Sequence, residues 1–138
     1  MRILIINGPK LNLLGKREPA IYGHESFESY LDKLREEFPG VVMELFQSDD
    51  EGEIIGKLHE ADKACDGIIL NAGRYTHTSA AIGNAVKSMT TPLIEVHISK
   101  IFAREDFRQI SFIAPHATGS ISGFGLASYR LAILHFLK

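Results

Sequence analysis

The sequence predicts a three-layer α/β fold built on a parallel sheet. Three observations carry that expectation. Short apolar, β-branched runs alternate with segments of helical period along the chain. The run Gly67-Ile68-Ile69-Leu70-Asn71 is apolar on both faces, as a central parallel strand should be. The 138 residues fit one domain, 1–138, and a hydrophobic content of 45% allows a sizeable core.

Ile3 to Ile6 is too short for a helix and reads as a buried first strand, stopped by Asn7-Gly8-Pro9. A stretch with no usable period follows, ending at Tyr22-Gly23. Loops this long inside a compact domain are uncommon and usually work as lids or binding loops. Leu11, Leu13, Leu14 and Ile21 give it apolar anchors, and Gly15 and Gly23 are candidate pivots. Residues 8–24 are therefore expected to be a functional lid, with a merely long surface loop as the plainer alternative.

Ser26 can cap a first helix, where Phe27, Tyr30, Leu31, Leu34 and Phe38 fall at helical spacing and Pro39-Gly40 ends the run. Val41 to Gln47 reads as a strand, with Val41, Met43 and Leu45 on one face and Val42 and Phe46 on the other. Ser48-Asp49-Asp50 can cap a second helix whose inward stripe is Ile54, Ile55, Leu58 and Ala61. The third strand is 67–71, and a loop runs from Ala72 to Thr78. Ser79 to Ser88 is a helix with Ile82, Ala85, Val86 and Met89 inward. Pro92 to His97 is a fourth strand, Ser99 to Ile110 is irregular or partly helical, Thr118 to Ser122 is a short fifth strand, and Leu126 to Leu137 is a closing helix. Right-handed crossovers and the short length favour the five-stranded, flavodoxin-like order 2-1-3-4-5. Ligands in such sheets sit beyond the carboxyl ends of the strands, where the strand order reverses. Here that point gathers Asn7, Asn71 and the end of the fourth strand.

Composition removes several classes of function. A net charge of −2 gives no electrostatic case for nucleic acid or an anionic membrane. Cys65 is the only cysteine, so an intrachain disulfide is impossible, and its place before an apolar strand reads as a buried structural thiol. No apolar run has the length of a signal-peptide core or a membrane span, so a soluble, cytoplasmic protein is expected. The six histidines do not cluster at metal-ligand spacing, and no glycine-rich phosphate loop follows the first strand. A phosphoacceptor receiver would want acidic residues where this chain has Asn7-Gly8 and Asn71.

Glu95 and His97 are two apart on a strand and point to one face. A carboxylate beside an imidazole can fix its tautomer and favour its protonated form, which makes a general acid. A strand-end histidine with a local hydrogen bond is the plainer reading. Asn71 to Ser79 joins the third strand to a helix start, where Thr78 or Ser79 can cap and free N–H groups can hold a carboxylate. Asn71 and His77 can donate to substrate hydroxyls, against a capped turn with a solvent histidine. Arg104 reads as part of a solvated face with Glu105 and Asp106, whereas Arg108, beside Phe107, is a candidate carboxylate clamp. Tyr22 as a base would need a pKa well below about 10, which a nearby arginine such as Arg17 can bring about.

The stretches Asn-Gly-Pro-Lys-Leu-Asn-Leu-Leu-Gly-Lys-Arg-Glu-Pro-Ala-Ile-Tyr-Gly, Asn-Ala-Gly-Arg-Tyr-Thr-His-Thr-Ser, Glu-Val-His-Ile-Ser and Arg-Glu-Asp-Phe-Arg together resemble type II 3-dehydroquinate dehydratase. The resemblance runs over essentially the whole chain, in order. It implies the flavodoxin-like fold and the conversion of 3-dehydroquinate to 3-dehydroshikimate and water, in the shikimate pathway, without metal or organic cofactor. By the same resemblance Tyr22 is the base, Arg17 its electrostatic partner, His97 the general acid and Glu95 its orienting group. Asn71, His77, Ile98, Ser99 and Arg108 would bind substrate. Trimers assembled into a dodecamer are implied, with position 84 of one subunit reaching a neighbour's site.

Two positions depart from the family's pattern. Lys10 stands where the family has a catalytic asparagine, and Asn84 where it commonly has an aspartate. An alternative follows from them: a catalytically weak member that binds a shikimate-type acid or serves only as an oligomeric assembly.

Overall fold

The computed structural model describes residues 1–15 and 25–138, the side chains of Phe107 and Arg108 excepted. Arg17 and Tyr22 lie outside the described residues, as does most of the segment expected to form the lid.

Five strands, β1 (Arg2–Asn7), β2 (Val42–Gln47), β3 (Gly67–Asn71), β4 (Leu93–His97) and β5 (Gly119–Ser122), pair in the order β2-β1-β3-β4-β5. All four pairings are parallel, so each connection must cross over the sheet. The helices α1 (Phe27–Glu37), α2 (Glu51–Ala61) and α3 (Ala80–Lys87) make the first three crossovers, 3₁₀ turns make the β4–β5 one, and α4 (Ala127–Phe136) closes the chain. This is the flavodoxin-like arrangement that the alternating pattern predicts.

Strand alternation divides the core between the two faces. Ile3, Ile5, Ile69, Ile94 and Val96 meet Phe27, Leu31, Leu34 and Ile133 of α1 and α4 on one side. Leu4, Ile6, Ile68 and Leu70 meet Ile54, Leu58, Ile82 and Val86 of α2 and α3 on the other. Every residue of β1 from Ile3 to Asn7 and all of β3 are buried, which explains why neither strand shows an apolar-polar alternation.

The helix starts follow the expected caps. Ser26 accepts from the Ser29 N–H and Asp50 from the Glu53 N–H. Ser79, rather than Thr78, caps α3 by accepting from the Ile82 N–H. The Ala72–Thr78 loop contains a turn of 3₁₀ helix, Gly73–His77. The stretch after β4 holds three more such turns: Ile101–Ala103, Asp106–Gln109 and Ala114–His116. Such turns have no room for a helical period, so the sequence reads as irregular there. Among the described residues no helix is long and apolar enough to cross a membrane.

Candidate active site

The carboxyl ends of β1, β3 and β4 meet at the place where the strand order reverses. Asn7 and Asn71 are register partners, and the Gly8 N–H donates to the Asn71 carbonyl at 2.7 Å. A Cβ on Gly8 would stand 2.5 Å from the Ala72 carbonyl oxygen, so only glycine lets these two strand ends pass so closely.

Tyr129 of α4, fully buried, ties the two asparagines together. Its hydroxyl donates to Oδ1 of Asn7 at 2.8 Å and accepts from Nδ2 of Asn71 at 2.9 Å. Oδ1 of Asn71 accepts from the Gly73 N–H, which fixes the amide orientation and leaves one Nδ2 hydrogen for the cavity. Burial pushes the Tyr129 hydroxyl far above its ordinary value, so it stays a neutral donor. Tyr129→Phe strands two buried amide groups. It is expected to cost about 2 kcal/mol and to lower the thermal midpoint by roughly 5–10 °C, read by calorimetry. An unchanged midpoint would show that the amides find other partners.

Beyond these strand ends lies a cavity of about 200 Å³. Leu11, Leu14, Ile98 and Ile101 form its apolar wall; Asn71, His77, His97 and Ser99 supply polar groups. Lys10, Arg74 and Arg104 add cationic side chains, and no carboxylate of the described residues lines it. A cavity so lined favours an anionic, hydroxyl-bearing ligand.

His97 is 6% exposed and Glu95 1% exposed. Nε2 of His97 lies 3.1 Å from Oε2 of Glu95. Nε2 makes no hydrogen bond of good geometry there, so the contact is an electrostatic pairing. Burial raises the Glu95 pKa, but the His97 contact and the hydroxyls of Ser111 and Ser120 outweigh it and hold the carboxyl below its ordinary value. An ionised Glu95 is thus built into the site.

His77 sits across from His97, with the rings stacked at 6.2 Å between centroids. Its Nδ1 is 2.7 Å from the Ile110 carbonyl. A carbonyl only accepts, so Nδ1 carries the hydrogen.

The structure thus gathers Lys10, Asn71, His77, His97, Ile98 and Ser99 around one cavity, with Glu95 directly behind His97. Asn84 is exposed on α3 and does not line the cavity of its own chain. The sequence reading of Arg104 as part of a solvated face is corrected. Its Nη1 donates to the Ser99 hydroxyl at 3.1 Å, and it forms part of the cavity wall. The turn Ile101–Ala103 brings it back over the site. The expected carboxylate seat on the N-terminus of α3 is also corrected: no residue after His77 on that connection lines the cavity. Arg74 was missed; it lies between two singled-out residues, Asn71 and His77, and has no partner spacing of its own.

The profile described as "Dehydroquinase class II" matches residues 1–137. A protein of Caldicellulosiruptor bescii called 3-dehydroquinate dehydratase is 53% identical, covering 96% of this chain and 93% of its own. One of Prochlorococcus marinus with the same name is 51% identical, with 96% and 92% covered. The crystal structure of a type II dehydroquinase from Butyrivibrio crossotus superposes with a TM-score of 0.95 at 44% identity, covering 100% of this chain and 98% of that one. On the match across its length, and on the fold that goes with it, this chain belongs to the class II dehydroquinase family.

Proposed function

We infer that this protein dehydrates 3-dehydroquinate to 3-dehydroshikimate and water, a step of the shikimate pathway. The observation that carries the reading is the buried Glu95–His97 pair set in the wall of a cation-lined cavity. A carboxylate substrate is drawn by Lys10, Arg74 and Arg104, and Asn71, His77 and Ser99 offer hydrogen bonds to its hydroxyls.

The proposed chemistry divides between two groups. Tyr22, with Arg17 as its electrostatic partner, removes a proton α to the ketone and an enolate forms. His97 then gives a proton to the hydroxyl on the adjacent carbon, the C–O bond breaks, and water leaves. Ionised Glu95 supplies the countercharge while His97 carries that proton. The product is an enone, so purified protein and 3-dehydroquinate should develop ultraviolet absorbance without additives. A protein that binds the substrate but forms no enone would support the alternative of a weak, binding member.

Arg108 is proposed as a further clamp on the carboxylate. Assembly of trimers into a dodecamer is proposed as well, with Asn84, exposed and outside its own cavity, reaching a neighbour's site. A cytoplasmic location fits this reading.

Lys10 invites a different route, through a Schiff base with the ketone. That route needs a neutral amine, obtained by burial or by desolvation. Lys10 is solvent-exposed and keeps its hydration. Borohydride treatment in the presence of substrate is therefore expected to leave no reduced adduct on Lys10 by mass spectrometry; an adduct there would overturn the enolate route. Lys10→Asn is expected to raise kcat, because asparagine adds the acceptor that lysine lacks. The backbone favours the change too: Lys10 has φ 65°, a conformation asparagine adopts more readily than lysine. A fall in kcat would show that the ammonium itself works in the site.

A further inference from the structure

The carboxylate behind His97 is held by two hydroxyls that come from elsewhere in the chain. Ser111 donates to Oε2 of Glu95 at 2.5 Å, and Ser120 donates to Oε1 at 2.6 Å. With Nε2 of His97 against Oε2, both oxygens of this buried group are engaged. A carboxylate with one donor can rotate about its terminal torsion, whereas one held at both oxygens cannot without breaking a charge-assisted bond.

We propose that Ser111 and Ser120 are positioning residues for the reaction, fixing the Glu95 carboxylate and with it the negative charge that faces Nε2 of His97. This rests on the reading of His97 as the general acid. The two serines reach the carboxylate in different ways. Ser120 is the register partner of Glu95 across β4 and β5, so the strand pairing itself sets its hydroxyl beside Oε1. Ser111 lies on the segment after the turn Asp106–Gln109, and its hydroxyl also accepts from the N–H groups of Ile113 and Ala114. The same segment presents the Ile110 carbonyl to His77 and binds the Gly73–His77 turn through the Phe112 N–H, which donates to the Thr76 carbonyl at 2.9 Å. A single stretch, 110–112, therefore orients both imidazoles that face each other across the cavity.

Ser120 gives the cleaner test, because Ser111 also supports its own turn. Ser120 is exposed as a residue on the edge strand β5, and threonine, which suits a strand, keeps the hydroxyl there. In assays of enone formation Ser120→Ala is expected to lower kcat about tenfold with KM little changed, the thermal midpoint being measured beside the rate. Ser120→Thr should restore most of the rate. In a His97→Gln background Ser120→Ala should add no further loss, since a group acting through His97 has nothing left to position. An unchanged kcat in Ser120→Ala, beside a large loss in His97→Gln, overturns the serine assignment and leaves the acid in place. A loss that Thr does not restore, or one that multiplies with His97→Gln, also overturns it. Full activity in His97→Gln would remove the acid reading, and with it the proposal.

Discussion

Replacement of His97 by alanine is expected to lower kcat by about 10²–10⁴ while KM stays close to that of the parent protein. The loss is that size because expulsion of hydroxide without a proton donor is the hard part of the reaction. His97 is also the cavity group with a built-in countercharge, the ionised Glu95 at 3.1 Å. KM is expected to hold because the proposed binding groups Asn71, His77, Ser99 and the arginines still line the cavity. Truncation at a buried site leaves the ionised Glu95 without its partner, so the thermal midpoint should be measured beside the rate. A rate within about tenfold of the parent would move the acid role elsewhere, with His77 the next candidate.

Tyr22→Phe is expected to remove nearly all turnover and to leave substrate binding intact. Tyr22 lies outside the described residues, but the start of the segment that carries it does not. Leu11 and Leu14 are buried in the core and also form part of the cavity wall, which seats the start of that segment on the site. Among the described groups lining the cavity, the carboxylates are absent and the cations are acids or binding groups. In the proposed chemistry the base is Tyr22, with Arg17 near it in sequence, a pairing whose chemistry suits proton abstraction. Turnover within about tenfold of the parent, roughly 1.4 kcal/mol in the barrier, would sink the assignment. Binding is checked by calorimetry with the same variant, and loss of binding would point to a structural role.

What the sequence made legible follows from physical range. Strands and long helices announce themselves by period and caps, and Ser26, Asp50 and Ser79 all cap as their positions suggest. The Glu95–His97 pair was legible because strand geometry puts alternate residues on one face. Ser111 and Ser120 were not, because nothing in local spacing links them to Glu95; Ser120 needs the β4–β5 register and Ser111 the path of the segment between those strands. Tyr129 reads as one more core aromatic of a closing helix until β1 and β3 are brought side by side. Arg104 was misread because acidic neighbours in sequence stand out and a 3₁₀ turn does not. Arg74 was hidden for a similar reason, since the Gly73–His77 turn decides which way it faces.

The division of labour between base and acid can be tested in one measurement: proton NMR of 3-dehydroquinate in D₂O with the His97→Ala protein. Tyr22, the proposed base, is expected still to remove the proton α to the ketone, and its hydroxyl exchanges with solvent. The α-proton signal is therefore expected to fade as deuterium enters, with no enone signal growing in. A substrate that is bound but neither exchanges nor dehydrates would contradict the separation of roles, and enone formation at the parent rate would contradict the acid itself.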